Sequence, residues 1–232
     1  MSDSFSLHGK SIVVTGGTGI LGKAFVEAIA AHAGNVGILG RNKTVAEERA
    51  HFIESNGGRA IPLIADVTSE DALNYANKIM LDHFGKIDGL VNAAGGNIPS
   101  AIVENGDDIF ALDMDGLDKA MKLNLWGTVL PTQVFGKTIA QNNSGSIVNI
   151  SSLSAGKALT KVLGYSMGKS AIDCYTRWMA VELANRYGDA LRMNAIMPGF
   201  FLTDQNKNLL TDNDGNFTER GKLIIQNTPY KR

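Results

Sequence analysis

The chain has 232 residues, of which 44% are hydrophobic and 19% are charged, a balance typical of a globular protein with a sizeable core. Its 22 basic and 23 acidic side chains leave a formal charge of -1, so no net positive field favours binding to nucleic acid or to an anionic membrane surface. The single cysteine excludes an internal disulfide, the four histidines never stand with it at a metal-ligand spacing, and no apolar run is long enough to cross a bilayer. We therefore expect a cytoplasmic protein without a metal site and without a nucleic-acid or membrane partner.

Six short, β-branched apolar runs alternate along the chain with longer amphipathic segments. The runs are Ser11–Thr15, Val36–Leu39, Ala60–Ala65, Gly89–Asn92, Ser146–Ile150 and Arg192–Ile196. Because they are apolar on both faces, they predict an α/β fold of the Rossmann type, a doubly wound parallel sheet with helices on both faces, in a single domain over residues 1–232. The helix after the third strand is predicted to have Thr68 as its N-cap and to end at Gly85. A polar segment at about 199–228 is typical of a flap over a pocket.

The first strand leads into a glycine-rich turn, residues 15–22, with the sequence Thr-Gly-Gly-Thr-Gly-Ile-Leu-Gly. Gly17, Gly19 and Gly22 match the dinucleotide fingerprint, in which glycines let the backbone approach a pyrophosphate that faces the helix N-terminus. A turn of the same kind without a ligand is the alternative, and the strand before it and the predicted helix after it favour the nucleotide site. The cofactor contacts expected from this turn are Gly16, Gly17, Thr18, Gly19, Ile20 and Leu21.

The second strand ends at Gly40-Arg41-Asn42, where a site specific for NAD would carry a carboxylate for the ribose diol. Because that carboxylate is missing and Arg41 stands where it can meet a 2′-phosphate, we expect NADP(H) to be favoured over NAD(H), with Arg41 and Asn42 as cofactor contacts. Stacking of Arg41 on adenine, or its exposure to solvent, stays open as the alternative.

Tyr165 and Lys169 stand about one helical turn apart at the start of a predicted helix, downstream of Ser152 at the exit of the fifth strand. A phenol is a poor base at neutral pH, and a nearby ammonium stabilises its phenolate. Tyr165 is therefore predicted to exchange a proton with a substrate oxygen that the Ser152 hydroxyl also binds. A Tyr and a Lys at this spacing are more often a surface pair, but their position after a nucleotide turn, a strand and a serine favours catalysis.

These motifs together resemble those of the short-chain dehydrogenase/reductase family, single-domain branch, over essentially the whole chain. The matching segments are residues 15–22, Asp66-Val67, Asn92-Ala93-Ala94-Gly95, Asn124, Ser152, Tyr165-x-x-x-Lys169 and Pro198-Gly199. The resemblance implies an NAD(P)-dependent oxidoreductase acting on CH–OH donors, usually a homotetramer built on two long central helices. It implies that Asp66 and Val67 border the adenine, and that residues 92–95 support the nucleotide. Lys169 would also bind the nicotinamide ribose, and Asn124 would anchor a water on the proton path. Further cofactor contacts that it implies are Tyr165, Pro198, Gly199 and Thr203.

Two features depart from the family's usual pattern. The middle glycine of the turn is Gly19, whereas the single-domain branch has it at the position of Ile20, and the arrangement found here is that of the extended branch. The chain also ends at Lys231-Arg232, where family members usually continue through a helix and a last parallel strand. We therefore expect that last strand to be absent, either because the sequence is truncated or because this edge of the sheet is missing.

A narrower resemblance concerns the substrate. Residues 94–99, 159–161 and 198–206 resemble the D-mannonate oxidoreductase (fructuronate reductase) group, which interconverts a keto-uronate and a sugar acid. Such a substrate needs a cation for its carboxylate and neutral donors for its hydroxyls. The residues expected to contact it are Asn97, Ser152, Lys161, Gln205 and Asn206. Alternatively, Asn97 caps a turn, Lys161 is a solvated loop charge and the two amides are ordinary flap residues.

Two other functions stay open at this point. The first is reduction of another polyol, a keto-acid or a carrier-bound ketone by the same chemistry. The second is a non-catalytic nucleotide sensor, which uses the fold to bind the cofactor and signal to a partner. A sensor predicts loss of the proton-transfer pair, and this sequence retains both Tyr165 and Lys169.

Overall fold

The computed structural model describes residues 5–104, 106–201 and 207–231, which form two compact units, residues 1–197 and 198–232. None of the helices in this part of the chain combines the length and the apolar character needed to cross a bilayer. The elements of the first unit are β1 (Ser11–Thr15), α1 (Ile20–Ala31), β2 (Asn35–Gly40), α2 (Lys43–Ser55), β3 (Arg59–Ile64), α3 (Glu70–Phe84), β4 (Gly89–Asn92), a 3-10 turn (Pro99–Ala101), α4 (Met114–Met121), a π-helical turn (Lys122–Trp126), α5 (Gly127–Gln141), β5 (Gly145–Ile150), a 3-10 turn (Leu153–Ala155), α6 (Leu163–Tyr187) and β6 (Leu191–Ile196).

The six strands form one parallel sheet in the order β3-β2-β1-β4-β5-β6. The predicted Rossmann-type sheet is confirmed, and the strand ends differ from the predicted ones by at most 1 residue. The strand order reverses where β1 lies beside β4. In open α/β sheets ligands bind outside the carboxyl ends of the strands at such a point, so this edge is where a site is expected.

Two hydrophobic cores hold helices against the two faces of the sheet. On one face α3, α5 and α6 pack over the strands through side chains such as Met80, Phe135 and Leu183. On the other face α1 and α2 pack through Val26 and Ile53. The inner strands β2, β1, β4 and β5 are covered on both sides and have no solvent face, which explains why their sequences are mostly apolar. The edge strand β6 differs, because it exposes Arg192 and Asn194. The loops at the carboxyl edge are therefore connected to strands and helices that are tightly packed.

The start of α3 differs from its prediction by one position. Ser69, not Thr68, is the N-cap, and its Oγ accepts a hydrogen bond from the Ala72 amide at 3.4 Å. Thr68 instead donates its N–H and its hydroxyl to Asp66 Oδ1, at 2.8 and 2.7 Å. The end of the helix at Gly85 is confirmed, with a φ of +76° that glycine adopts without strain.

The second unit contains the helices α7 (Lys207–Leu210) and α8 (Glu219–Gln226). An isolated antiparallel bridge joins Thr211 to Phe217 between them. Pro198 and Gly199 belong to this unit. Thr203, Gln205 and Asn206, predicted to contact cofactor or substrate, lie outside the described residues.

Candidate functional site

The predicted site residues of the first unit gather at the carboxyl edge of the sheet. They follow the strands in turn: residues 16–21 after β1, Arg41-Asn42 after β2, Asp66-Val67 after β3, residues 92–95 at the end of β4, and Ser152 after β5. Parallel strands bring these loops to one edge although they are far apart in the chain.

The glycine turn forms a cradle that a side chain would fill. Gly16 has a φ of +65°, and a Cβ built on it would lie 2.8 Å from the backbone of Ala93. A Cβ on Gly22 would lie 2.0 Å from the carbonyl oxygen of Gly16. Gly19 is the N-cap of α1 and has no side chain to cap it, so the first N–H groups of the helix are left for an anion. The turn therefore fits the pyrophosphate of a dinucleotide.

Thr15, for which the sequence analysis predicted no side-chain role, connects this turn to the loop after β4. Its buried Oγ1 accepts hydrogen bonds from the amides of Ala93 and Ala94, at 3.1 and 3.2 Å. The signal that identifies it is a hydroxyl at the carboxyl end of an apolar run, immediately before the glycines. Thr15 fixes the spacing between the two loops that the nucleotide is expected to contact.

At the end of β2, Arg41 is 77% exposed and its Nη1 lies 3.8 Å from Asp66 Oδ2. Burial raises the pKa of Asp66, but the hydrogen bonds from Thr68 and the charges of Arg41 and Lys122 outweigh it and hold that pKa below its usual value. Val67, beside Asp66, is buried. An exposed ion pair at this distance contributes only about 0–1 kcal/mol, so Arg41 is available to a ligand phosphate.

The space beside Gly40 is occupied by Thr18. A Cβ on Gly40 would lie 2.3 Å from Thr18 Oγ1 and 3.0 Å from Thr18 Cβ. The loop side chain therefore stands where a carboxylate for the ribose diol would need room. Asn42 uses its Oδ1 to accept a hydrogen bond from the Val45 amide at 3.1 Å, which makes it the N-cap of α2.

Lys169 and Tyr165 lie together in the first turns of α6. Lys169 is 3% exposed, and its Nζ donates a hydrogen bond of 2.6 Å to the carbonyl oxygen of Ile150. The same Nζ lies 5.6 Å from the centre of the Tyr165 ring. Burial lowers the pKa of Lys169 to about 8, and the charge of Asp173 opposes that shift. The structure thus brings a buried amine and a half-buried phenol together at the end of β5.

Asn124 lies in the π-helical turn between α4 and α5 and is fully buried. Its Nδ2 donates to the carbonyl oxygens of Gly96 and Ala120, both at 2.9 Å, and its Oδ1 accepts from the Gly96 amide at 3.0 Å. A Cβ on Gly95 would lie 2.8 Å from Asn124 Oδ1 and 3.2 Å from Lys169 Nζ. The loop after β4, the π turn and α6 therefore meet at Gly95.

Ser152 follows β5 and precedes a 3-10 turn that is fastened to α6. Its Oγ accepts hydrogen bonds from the amide and the hydroxyl of Ser154, at 3.2 and 3.1 Å. The Ser170 hydroxyl of α6 donates to the Ala155 carbonyl oxygen at 2.9 Å. With both lone pairs of its oxygen engaged, the Ser152 hydroxyl keeps its hydrogen to donate to a ligand.

A buried chain of amides and hydroxyls, which the sequence analysis missed, lies beneath these residues. Asn92 and Asn149 are register partners on β4 and β5, and Asn92 Nδ2 donates to Asn149 Oδ1 at 2.9 Å. Asn92 also donates to Thr132 of α5, and Asn149 donates to Thr176 of α6, both at 2.9 Å. The side chain of Asn92 thus joins the end of β4 to β5 and to α5. Two asparagines at the ends of adjacent apolar strands are the signal that could have revealed the network.

Of the predicted substrate residues, the structure describes Asn97, Ser152 and Lys161. Lys161 has a φ of +73°, and its Nζ forms an ion pair of 2.5 Å with Glu104. The Lys161 carbonyl oxygen also accepts a hydrogen bond from the Val103 amide at 2.9 Å. Asn97 is exposed next to Gly96. In the parts of the chain that the structure describes, no group of three or more His, Cys, Asp or Glu side chains has the arrangement of a metal site.

Comparison with known proteins identifies the family. Residues 10–214 match the family model described as short chain dehydrogenase. An uncharacterised oxidoreductase UxuB of Bacillus subtilis (strain 168) is 41% identical in an alignment of 235 residues including gaps. The alignment covers 98% of this chain and 84% of that protein. Both the sequence motifs and the sheet order agree with this family.

Solved structures give the same result. A candidate D-mannonate oxidoreductase from Haemophilus influenza with bound NAD superposes with a TM-score of 0.90 at 35% identity, over 98% of this chain and 84% of that one. A 7α-hydroxysteroid dehydrogenase in complex with NADH and 7-oxo glycochenodeoxycholic acid has a TM-score of 0.85 at 27% identity, over 100% of this chain and 84% of that one. The chain belongs to the short-chain dehydrogenase family and is an NAD(P)-dependent oxidoreductase that acts on CH–OH groups.

Proposed function

We propose that Tyr165 is the acid–base residue of this oxidoreductase and that Ser152, Lys169 and Asn124 complete its catalytic set. The observation that carries the proposal is the buried Lys169 ammonium, 5.6 Å from the Tyr165 ring and held by the Ile150 carbonyl. A cation at this position stabilises the phenolate that remains when Tyr165 gives its proton to a substrate oxygen. Ser152 donates to the same oxygen, and Asn124 fixes the loop beside Lys169. The nicotinamide, when bound, supplies or accepts the hydride.

For the cofactor, we propose residues 16–21 as the pyrophosphate cradle, Asp66 and Val67 as the adenine border, and NADP(H) as the preferred form. The preference rests on the exposed Arg41 and on the absence of a carboxylate at Gly40, whose neighbouring space Thr18 fills. The similar Haemophilus protein has NAD bound, so both cofactors belong in the test. Pro198, Gly199 and Thr203 complete the proposed contacts.

For the substrate, we propose a sugar acid, with interconversion of D-mannonate and D-fructuronate as the reaction. The support is the similarity to the Haemophilus candidate D-mannonate oxidoreductase, together with a cation suited to a carboxylate, Lys161. An ammonium has three N–H donors, so Lys161 can keep Glu104 as a partner and still bind a substrate carboxylate. Asn97, Gln205 and Asn206 are the proposed donors to the hydroxyls.

The test follows nicotinamide absorbance with the purified chain, a panel of substrates and each cofactor in turn. The panel contains D-fructuronate, D-mannonate, an uncharged ketose, a simple keto-acid, a 3-oxoacyl carrier substrate and a 7-oxo steroid. The last two are included because a 3-oxoacyl-carrier reductase of Synechocystis is 31% identical over 205 residues and the steroid enzyme superposes well. Highest kcat/KM is expected for D-fructuronate in the direction of reduction and for D-mannonate in the direction of oxidation. Faster turnover of any of the other four substrates would contradict the sugar-acid proposal while leaving the oxidoreductase class intact.

The homotetramer also stays a prediction, and so does the cytoplasmic location. Light scattering coupled to size-exclusion chromatography measures the assembly directly. A mass of one or two chains would contradict the tetramer. The result is independent of the substrate that the enzyme prefers.

A further inference from the structure

Arg49 contacts the glycine turn from a helix that has no other role in the proposed site. It lies in α2, and its Nη1 donates hydrogen bonds to the carbonyl oxygens of Gly17 at 2.5 Å and of Gly19 at 2.8 Å. Burial lowers the pKa of Arg49, and the carboxylate of Glu27 on α1 opposes that shift. One nitrogen of the charged guanidinium therefore binds two carbonyl oxygens of the turn.

These contacts determine which way the turn presents its N–H groups. In a trans peptide the carbonyl and the following N–H point in opposite directions. When the carbonyls of Gly17 and Gly19 face the guanidinium, the N–H groups of Thr18 and Ile20 face the other side of the turn. The Gly19 carbonyl oxygen also accepts a hydrogen bond from the Lys23 amide at 3.0 Å, so α1 itself holds that peptide. Arg49 is the side chain that holds the Gly17 peptide, where glycine gives the backbone little resistance to rotation.

We propose that Arg49 is a positioning residue for the cofactor pyrophosphate. It holds the glycine turn with its N–H groups toward the phosphates and places a positive charge behind the turn. Because the pyrophosphate is common to NADH and NADPH, Arg49 acts on both cofactors alike. Arg41, in contrast, is proposed to meet the 2′-phosphate that only NADPH carries, so the two arginines differ in their expected effects. The inference rests on the proposed pyrophosphate cradle at residues 16–21, and it holds whichever form of the cofactor and whichever substrate the enzyme prefers.

Binding measured without turnover tests this role. Arg49→Met is titrated with NADH, NADPH, ADP-ribose and adenosine, with nicotinamide fluorescence as the signal for the first two and displacement of NADH for the others. The dissociation constants of the three pyrophosphate-containing ligands should rise by the same factor, about tenfold, which corresponds to roughly 1.4 kcal/mol. Adenosine, which has no phosphate, should bind as it does to the wild type. Arg49→Lys keeps the charge and one donating nitrogen and should recover part of the loss.

Arg186→Met is the matched control, since it also removes one arginine, from an exposed ion pair with Glu182 near the end of α6. It should leave all four constants unchanged. Three results would overturn the proposal: a loss confined to NADPH, which would place Arg49 on the 2′-phosphate; equal weakening of adenosine, which would indicate general damage to the fold; and no loss at all.

Discussion

The Nζ of Lys169 lies 5.6 Å from the centre of the Tyr165 ring while it donates a hydrogen bond of 2.6 Å to the Ile150 carbonyl oxygen. Burial lowers the pKa of Lys169 to about 8, so the amine is charged at neutral pH and loses its charge as the pH rises through that value. Since only the charged form stabilises the phenolate, kcat/KM for carbonyl reduction should fall as the pH rises through about 8.

A steady-state pH profile from 6 to 10 at fixed ionic strength measures this fall. Lys169→Arg is the control, because a guanidinium keeps its charge over the whole range. The variant should be slower than the wild type and should lack the fall near pH 8. The same descending limb in both enzymes would assign the titration to another group.

Cofactor preference should change only when two contacting positions are altered together. Gly40→Asp alone places its Cβ within 2.3 Å of Thr18 Oγ1, so it should weaken NADH and NADPH binding alike. Thr18→Gly combined with Gly40→Asp opens the space, supplies an acceptor for the ribose diol and repels a 2′-phosphate. The double variant should shift preference toward NADH by about tenfold to a hundredfold, roughly 1.4–3 kcal/mol, in a comparison of kcat/KM. If the wild type already turned over NADH faster than NADPH at equal low concentration, the proposal that Arg41 binds the 2′-phosphate would be contradicted.

The sugar-acid proposal predicts opposite effects for the two members of one ion pair. Lys161→Ala should raise KM for D-fructuronate at least tenfold more than KM for an uncharged ketose, because only the uronate loses a carboxylate partner. Glu104→Gln removes a competing anion and should lower KM for the uronate by about two- to fivefold, the range of a partly exposed ion pair. Equal responses of the charged and the uncharged substrate would show that Lys161 does not bind the carboxylate.

The buried amide network predicts a loss of stability at Asn149. Asn149→Leu removes the partners of Asn92 and Thr176 and leaves buried polar groups without them, so the free energy of unfolding should fall by about 2–3 kcal/mol in urea. Asn194→Ala, on the exposed side of β6, is the control and should change it by less than about 0.5 kcal/mol. Similar losses in both variants would mean that the amide network makes no specific contribution to the free energy of unfolding.

Sequence alone predicts the sheet and the gathering of the candidate site at its edge, because both depend on local patterns. Strands apolar on both faces require helices on both sides, and the parallel topology then brings Ser152, Tyr165 and the glycine turn to one edge. The partners of individual polar side chains were not predictable in the same way. The N-cap of α3 moved to Ser69 because Asp66 binds Thr68, and Lys161 is held by Glu104 from a loop far away in the chain. The contacts of Arg49 could not be predicted either, because its partners are backbone carbonyl oxygens, which every residue carries whatever its side chain.

Turnover and cofactor binding of Tyr165→Phe, measured side by side, test the proposed proton transfer most directly. Phenylalanine keeps the ring that packs near Lys169 and removes only the hydroxyl. The account predicts a loss of kcat of at least about 10²-fold on the best substrate, with the NADPH dissociation constant from fluorescence titration changed less than about twofold. Lys169→Ala, run beside it, should impair both turnover and cofactor binding. Near-native turnover by Tyr165→Phe would contradict the assignment of Tyr165 as the acid–base residue.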